Sequence, residues 1–448
     1  MKKFFFIIVS SFLIFSCSSD NGTVDPKPDP VVKKPLAVDD SFDLVEDNDL
    51  IFSDLLSNDE KGDNAKINSI DPTGLNGGTI VDNRNGTYTY TPSSGYVGTD
   101  TFKYTICDSH TPKNCSTATV TVTITDEGSP MAVDDSYNAV KNTTRTFTEI
   151  LENDSLTDDA EITSVDNTNT KGTATLNTNG SISYTPKNNF VGDDTFIYTI
   201  CDDDSPTQTC TSATVTITIL ESIAFNIPSE LAPYYATMAL VDDADLSYSL
   251  LKEFTIQKHT TILSYGQRHN YLYNADEDKA NTDNVILMYS GESRYWEEYT
   301  SQSNSHSPQT FNTEHIYPQS RLSTSNAVTD LHHLRSCDAS INSQRSNFPF
   351  TNGSGTYKLD GNKWYPGDEW RGDVARMIMY LNVRYGETFD KVGTLELFLE
   401  WNKSDPVSEF EIQRNTIIEA AQGNRNPFID NPYIATLIWG GDAAENKW

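Results

Sequence analysis

Residues 311–350 concentrate side chains that could carry out acid–base and metal chemistry. The candidate groups are Glu314, His315, Asp330, His332, His333, Asn342 and Arg345. Four of the 7 histidines of the chain lie between His306 and His333. This set offers a base that works near neutral pH, oxygen ligands for a hard cation and a permanently charged contact for phosphate. Those are the parts of metal-assisted phosphodiester hydrolysis.

Glu314 and His315 are predicted to divide this work. Residues 311–317 should form a strand that enters a turn at Pro318. Because neighbouring strand residues face opposite sides, both side chains can serve one site only if the strand breaks there. His315 would deprotonate a water aimed at phosphorus, and Glu314 would bind Mg2+. We expect Asn342 to be the second ligand, since magnesium keeps several waters and needs few protein ligands.

Three segments, TEHIYPQS, DLHHL and INSQRSN, resemble those of bacterial endonuclease I, a secreted nuclease of the His-Me finger (ββα-metal) superfamily. The resemblance extends to NVILMYSGESRYW and WYPGDEWRGDVARMIMYLNVRYG and covers roughly residues 233–439. It implies that His315 is the general base and that Glu314 and Asn342 bind the metal. It also implies an arginine on the scissile phosphate, with these candidates: Arg321, Arg335 and Arg345. We favour Arg345, because it lies three residues after Asn342 and would share its face on a helix.

Other interpretations of these residues stay open at this point. His332 and His333 could be core histidines hydrogen-bonded to the backbone, or with Cys337 they could bind zinc. Asn342 and Asn347 taken alone would be turn residues.

The N-terminus predicts export. Residues 1–16 combine two lysines with a short apolar run and resemble a signal peptide with a lipobox, so cleavage would leave a lipidated Cys17. An ordinary signal peptide with a chance cysteine is the alternative. Residues 17–36 are rich in Pro, Asp and Lys and are predicted to be an extended tether.

An internal repeat follows. AVDDS at Ala37 returns at Ala132, and each unit contains short alternating runs such as TYTYTP and SISYTP. Alternation of Val, Ile, Thr and Tyr predicts antiparallel strands, so residues 37–126 and 132–220 should be two all-β, immunoglobulin-like sandwiches, similar to cadherin-like repeats.

Each repeat also contains one close cysteine pair. In an exported chain, Cys107 with Cys115 and Cys201 with Cys210 predict two local disulfides. Cys337 is left over and is expected to be a buried free thiol.

Acidic residues recur at matched positions of the repeats: Asp39, Asp40, Asp134 and Asp135. They could bind structural Ca2+ or simply form a solvated acidic surface.

From residue 225 the composition changes to apolar residues at helical spacing. Residues 373–385, 395–401 and 409–421 are predicted helices, the last ended by Gly423. We therefore expect a multidomain protein: two all-β immunoglobulin-like sandwiches, then a mostly helical α+β nuclease domain, residues 225–448, with a ββα-metal core.

The net charge of −32 opposes binding to a polyanion. Residues 225–448 contain 18 Lys and Arg against 30 Asp and Glu, so most of the acidity lies before them. A nuclease needs only a locally positive groove, to which the metal would contribute.

The sequence thus predicts a surface-anchored or secreted, Mg2+-dependent and largely sequence-nonspecific endonuclease. Its partners would be nucleic acid, as DNA, RNA or both, and the membrane through its lipid anchor. The alternative is an adhesin or binding lipoprotein whose nuclease-like domain is inactive.

Overall fold

The computed structural model of the chain describes residues 32–448. The predicted signal sequence, its lipobox and Cys17 lie outside the described residues. None of the described helices has the length and apolar character needed to cross a membrane. The chain divides into two compact units. One runs up to Pro130 and includes Leu156–Ala160 and Cys201–Cys210, and the other comprises Met131–Ser155, Glu161–Ile200 and Thr211–Trp448.

The first repeat is all β. Its seven strands are β1 (Asp40–Val45), β2 (Leu50–Phe52), β3 (Lys66–Ile70), β4 (Thr79–Asp82), β5 (Tyr88–Thr91), β6 (Gly98–Cys107) and β7 (Cys115–Thr125). They form a sheet of order β1-β7-β6-β3 and a second of order β2-β5-β4. Because side chains alternate along each strand, Phe102, Tyr104, Val120 and Val122 face a common core.

The second repeat follows the same plan. Its strands are β8 (Asp135–Val140), β9 (Arg145–Phe147), β10 (Glu161–Asp166), β11 (Thr173–Leu176), β12 (Ile182–Thr185), β13 (Gly192–Cys201) and β14 (Cys210–Leu220). The sheet orders are β10-β13-β14-β8 and β11-β12-β9. In both repeats the first strand pairs in parallel with the last one.

A buried hydrogen bond recurs at the same place in both repeats. The Tyr90 hydroxyl donates to Asp100 at 2.9 Å, and the Tyr184 hydroxyl donates to Asp194 at 2.5 Å. Both carboxylates are almost fully buried and also accept backbone N–H groups, so their charge is compensated. The sequence repeat therefore corresponds to a structural repeat, which confirms the prediction of two all-β units.

The two predicted disulfides are present. Cys107 is bonded to Cys115, and Cys201 to Cys210. Cys337 is a buried free thiol that contacts the Met288 carbonyl.

The remaining chain contains helices and small sheets. The helices are α1 (Ala232–Tyr235), α2 (Ala244–Lys258), α3 (His269–Ala275), α4 (Ala339–Arg345), α5 (Arg371–Tyr385), α6 (Leu395–Ser404), α7 (Glu409–Gln422), α8 (Pro427–Asp430) and α9 (Tyr433–Trp439). The strands are β15 (Glu277–Asp278), β16 (Asn281–Ile286), β17 (Ser293–Tyr295), β18 (Phe311–His315), β19 (Leu334–Asp338), β20 (Thr356–Asp360) and β21 (Lys363–Gly367).

Helix α5 is the centre of this region, since 11 of its 15 residues are buried. It packs against α2, α6 and α8 and carries the largest apolar cluster of the chain's described part. The predicted helices at 373–385, 395–401 and 409–421 correspond to α5, α6 and α7. Gly423 ends α7 with φ of 87°, a left-handed conformation that glycine adopts without strain.

Candidate active site

A strand pair followed by a helix positions the predicted catalytic residues. Strands β18 and β19 pair antiparallel, with Glu314 opposite Arg335. Helix α4 begins directly after β19, where the Asp338 carboxylate caps it by accepting the N–H groups of Ser340 and Ile341. The helix packs on β18 and thereby brings Asn342 to the strand that carries Glu314 and His315.

His315 is half-buried and oriented by the backbone. Its Nε2 lies 3.1 Å from the carbonyl oxygen of Val328. Because a carbonyl can only accept, Nε2 must carry the proton and Nδ1 is the nitrogen that can take one. Burial, with a contribution from His333, lowers the pKa of His315 to about 3. The ring is therefore neutral near pH 7 and available as a base.

Glu314 occupies a buried position beside one positive charge. Its Oε1 accepts the Tyr289 hydroxyl at 2.9 Å and lies 2.9 Å from Nε of Arg345. Burial raises the pKa of Glu314 to about 7, although Arg345 and Tyr289 oppose that shift. A carboxylate held in this way would gain from a bound cation, which stabilises its ionised form.

Asn342 is positioned by two hydrogen bonds that use the same atom. Its Nδ2 donates to Asn312 Oδ1 at 2.7 Å and to the Thr313 carbonyl at 3.2 Å. The amide oxygen Oδ1 is left as the atom that can bind a cation. Together with Glu314 this gives one carboxylate and one amide oxygen, which are ligand types that Mg2+ prefers. The donor set therefore fits a hard divalent cation.

The three predicted arginines have different surroundings. Arg345 is fully buried, and besides Glu314 its guanidinium binds the carbonyl of Ile316 at 2.9 Å. Arg335 is also fully buried, paired with Asp276 at 3.1 Å and with Asp373 at 3.2 Å. Arg321 is half-buried and donates to a backbone carbonyl, that of Lys391.

Arg268, which the sequence analysis did not identify, lies beside the strand that carries the predicted site. Its Nε donates to Thr313 Oγ1 at 3.2 Å, two residues before His315. Its guanidinium carbon lies 3.4 Å from the ring centroid of Tyr265. The Tyr265 ring in turn stacks on the His315 ring, with 6.0 Å between the two ring centroids. Burial lowers the pKa of Arg268, and none of the ion pairs in residues 32–448 gives it a carboxylate partner. No local pattern marks Arg268, since its partner Thr313 lies 45 positions further along the chain.

The residues of DLHHL form a buried support for the site. Asp330 accepts the hydroxyls of Tyr380 at 2.7 Å and Tyr385 at 2.9 Å, and the Gln422 amide at 3.0 Å. Although burial opposes ionisation, the nearby His332 and His259, the Gln422 amide and the backbone N–H of His332 hold the pKa of Asp330 well below its usual range. The carboxylate thereby connects the turn that carries Val328 to α5 and α7.

The two histidines of DLHHL bind backbone carbonyls. His332 Nε2 lies 3.1 Å from the Asn424 oxygen, and His333 Nε2 lies 2.7 Å from the Ala327 oxygen. Among the described residues, the side-chain groups close enough to share a metal do not include His332, His333 and Cys337. The core interpretation therefore fits this pair, and the zinc site is not formed.

A separate acidic cluster lies in the unit that contains the first repeat. Carboxylate oxygens of Glu46, Asp126, Asp158 and Asp204 all lie within 4.8 Å of one another. Burial raises the pKa of Glu46 to about 7 and that of Asp158 to about 6. Within residues 32–448, no hydrogen-bond donor reaches Oε2 of Glu46, Oδ2 of Asp158 or Oδ1 of Asp204. These orphaned buried oxygens fit a divalent cation.

The matched aspartates of the repeats lie elsewhere. Asp39 accepts the N–H of Thr119 at 2.7 Å, and Asp134 accepts that of Thr214 at 2.8 Å. Asp40 accepts the Asn58 amide, and Asp135 accepts the Tyr137 hydroxyl. These four residues, which the sequence analysis singled out for Ca2+, are absent from the acidic cluster.

Two family descriptions match the chain. Residues 248–433 match Endonuclease I. Residues 33–126 and 127–221 each match the bacterial cadherin-like domain.

Three curated relatives align with the C-terminal region. An extracellular ribonuclease of Bacillus amyloliquefaciens is 43% identical over 205 residues, which cover 40% of this chain and 69% of the relative. Endonuclease-1 of Buchnera aphidicola subsp. Baizongia pistaciae is 27% identical over 225 residues, covering 39% of this chain and 91% of the relative. An extracellular deoxyribonuclease of Aeromonas hydrophila is 30% identical over 112 residues, which cover 22% of this chain and 49% of the relative.

Proposed function

The chain belongs to the endonuclease I family, and we propose that it is an exported, Mg2+-dependent endonuclease that hydrolyses nucleic-acid phosphodiesters with little sequence preference. The observation that carries the proposal is the pair at the end of β18. There His315 has its Nε2 bound by a carbonyl, beside the buried carboxylate of Glu314. The named relatives include a ribonuclease and a deoxyribonuclease, which supports activity on both RNA and DNA.

In this proposal His315 is the general base. Its Nδ1 takes a proton from a water molecule that attacks phosphorus, while the Val328 carbonyl holds Nε2–H and fixes the ring. As the water oxygen bonds to phosphorus, one P–O ester bond breaks and the leaving oxygen takes a proton from solvent, while the imidazolium returns its own proton to solvent. His315 is thus a proton carrier and not a metal ligand.

Glu314 and Asn342 would hold the Mg2+, with β18, β19 and α4 as the ββα-metal arrangement. When bound, the cation supplies positive charge that stabilises the phosphate oxygens during attack. Arg345 keeps the Glu314 carboxylate in place, since its Nε lies 2.9 Å from Oε1. The Tyr289 hydroxyl donates a hydrogen bond to the same oxygen and restrains it further.

We propose Arg268 for the contact to the scissile phosphate, with Arg321 as the alternative. A buried charge without a carboxylate partner costs free energy that an incoming phosphate would offset. Arg335 and Arg345 have their charges compensated by Asp276, Asp373 and Glu314. In Arg268→Lys, which removes the fork of donors but keeps charge, turnover should fall while Mg2+ affinity is unchanged. A larger loss of turnover in Arg321→Lys would assign the contact to Arg321.

Nicking of a supercoiled plasmid, with and without EDTA, tests the nuclease proposal. Cleavage that EDTA abolishes and Mg2+ restores is expected. Absence of cleavage by a folded protein would favour the alternative, an adhesin or binding lipoprotein with an inactive nuclease-like domain. Cleavage that persists in EDTA would overturn the metal-dependent mechanism.

We also propose a structural Ca2+ at the acidic cluster of Glu46, Asp126, Asp158 and Asp204. Four carboxylates within 4.8 Å repel one another unless a cation or protons neutralise them. Added Ca2+ should therefore raise the melting temperature, and Asp158→Asn should weaken this response. Asp43→Asn, an exposed change on β1, is the matched control. Equal responses of both variants would count against the site.

Anchoring at the outer membrane or cell surface through a lipidated Cys17 is proposed from the sequence. Cys17→Ser should move the protein from the membrane fraction to the soluble fraction while nuclease activity is retained. An unchanged membrane fraction would exclude the lipid anchor.

A further inference from the structure

A cavity of about 380 Å³ lies on the C-terminal region, between α3, β16 and the segment after β17. The side chains that decide its chemistry are three aromatic rings and three amides: His269, Tyr273, Trp296, Asn270, Asn274 and Asn284. The mechanism proposed above uses none of them.

Trp296 forms an exposed wall of this cavity on a rigid support. The indole is 39% exposed, although its ring centroid lies 6.1 Å from that of Tyr273. Tyr273 is buried and packs edge-on against Phe311 of β18 at 5.9 Å. The ring of Tyr273 also packs against that of Tyr299, with 5.4 Å between the ring centroids. A tryptophan face fixed in this way and open to solvent is suited to stacking a planar ligand.

The polar groups of the cavity favour a neutral ligand. The amides of Asn270 and Asn274 are exposed, and Asn284 donates to Ser293 Oγ at 2.9 Å, which leaves its Oδ1 as an acceptor. Burial lowers the pKa of His269 to about 4, so this ring is neutral near pH 7. Of the described residues that line the cavity, Glu277 is the charged one, and it would repel a phosphate.

A nucleobase meets these requirements, since it is planar, neutral and edged with hydrogen-bond donors and acceptors. Asparagine amides can pair with base edges, and a carboxylate can accept from an exocyclic amino group. In a duplex the bases are paired and stacked inside the helix. The cavity can therefore take a base only from an unpaired strand.

Two elements of the fold, β18 and α3, connect the surroundings of the cavity with the catalytic pair. Strand β18 runs from Phe311, under Tyr273, to His315, a span of about 13 Å at 3.3 Å per residue. Helix α3 contributes His269 to the cavity, and the preceding residue, Arg268, contacts Thr313. At about 3.4 Å per nucleotide along a strand, a base in the cavity lies within about four nucleotides of the cut.

We propose that this cavity binds an unpaired nucleobase that flanks the scissile phosphodiester, and that it thereby gives the enzyme a preference for single-stranded nucleic acid. This inference rests on the proposed nuclease function. Trp296 supplies the stacking face, and the asparagine amides bind the edge of the base.

Cleavage of a single-stranded oligonucleotide and nicking of a supercoiled plasmid, compared across variants, test the proposal. Trp296→Ala should lower kcat/KM on a single-stranded oligonucleotide about tenfold, the usual effect of losing one base–aromatic stack. Plasmid nicking should be unchanged, and Trp296→Phe should recover part of the loss. Ile256→Ala is the matched control, because Ile256 is 43% exposed on α2 and lies outside the cavity. Equal losses on both substrates, or no loss on the oligonucleotide, would overturn the proposal.

A binding measurement separates this inference from the proposed function. Fluorescence anisotropy with a labelled oligothymidylate in EDTA needs no turnover, and Trp296→Ala should weaken this binding about tenfold. An abasic nucleotide at the contacted position should weaken wild-type binding and leave the variant unaffected. If the plasmid is never cut, the nuclease proposal fails. If it is cut while the abasic nucleotide weakens both proteins equally, only the base site fails.

Discussion

His315 and Glu314 are neighbours in sequence, yet their surroundings shift their protonation in opposite directions. Burial lowers the pKa of the imidazole to about 3 and raises that of the carboxyl to about 7. Both side chains can therefore be neutral near pH 7 before a cation binds. In the proposed mechanism the base His315 is ready without any change, whereas the ligand Glu314 must lose a proton when the metal binds.

Substitution of the two residues should separate these roles. His315→Ala should lower turnover by about 10²–10⁴-fold while Mg2+ affinity is retained, because a base is lost and the ligands remain. Glu314→Ala should weaken Mg2+ binding, and raised Mg2+ should partly restore activity. Metal titration beside turnover checks both variants. If His315→Ala loses Mg2+ affinity as severely as Glu314→Ala, His315 is a ligand.

The pH dependence of Mg2+ binding should follow Glu314. Because its pKa is raised to about 7, a proton competes with Mg2+ below that pH. Affinity should therefore rise with pH up to about 7 and then level off. In the metal-free protein the folded state keeps this proton to a higher pH than the unfolded state does. The stabilisation that protonated Glu314 gives to the folded state therefore declines as the pH rises from about 4.5 to 7.

Calorimetric titration at several pH values measures this dependence, with Glu314→Gln as the control that cannot titrate. A flat affinity between pH 5.5 and 7.5 in the wild type would contradict the assignment. His315, whose pKa is lowered to about 3, should contribute little over this range.

At the scale of elements, the turn at Ala327–Thr329 positions the base, and Asp330 holds that turn. Asp330→Asn removes an ionised acceptor of several donors from a buried network. We expect a loss of about 1–3 kcal/mol of stability. A lower kcat with unchanged Mg2+ affinity should accompany this loss, because a shifted Val328 carbonyl misorients His315.

Thermal unfolding and steady-state kinetics check this expectation. Asp390→Asn, an exposed aspartate to asparagine change, is the control and should alter neither quantity. A destabilised Asp330→Asn protein with full kcat would show that the network supports the fold without positioning the base.

Local patterns predicted the helices and repeats but only part of the site. Helices α5, α6 and α7 follow from apolar residues at helical spacing, and Glu314, His315 and Asn342 lie in segments that resemble a family. The position of Arg268 could not be predicted, because its contact with Thr313 joins residues 45 apart in sequence. The burial of Arg345 was missed for the same reason, since its partners belong to a distant segment: Glu314 lies on β18 and Ile316 directly after it.

The acidic cluster illustrates the same limit in the repeats. Asp39 and Asp134 were predicted as possible Ca2+ ligands because they occupy matched positions of the repeats. In the structure each accepts a backbone N–H of a neighbouring strand. The cluster instead gathers Glu46 and Asp126 with Asp158 and Asp204. No repeat of the sequence marks those four positions, because chain segments far apart supply them.

At the scale of the whole molecule, the second repeat is packed against the nuclease region within one compact unit. Asn138 donates to Asp243, the cap of α2, at 2.8 Å. Val140, Val241 and Leu246 form a small buried apolar cluster. The second repeat therefore supports α2, and its removal would expose apolar side chains that each contribute about 1.5–3 kcal/mol when fully buried.

Two truncations test this support. Deletion of residues 37–126 should leave the melting temperature of the nuclease region unchanged. Deletion of residues 37–220 should lower it, with activity retained at low temperature. Scanning calorimetry with plasmid nicking measures both. Equal melting temperatures of the two truncated proteins would show that the second repeat is only a spacer.

The contact between His315 and the Val328 carbonyl has a consequence for spectroscopy. It locks the imidazole into a single tautomer, whereas a solvated histidine exchanges between two. In a ¹⁵N-labelled sample, one ring with two well-separated nitrogen resonances should persist from pH 5 to pH 8 without titrating. That signature would report the poised base in solution before any substrate or metal is added.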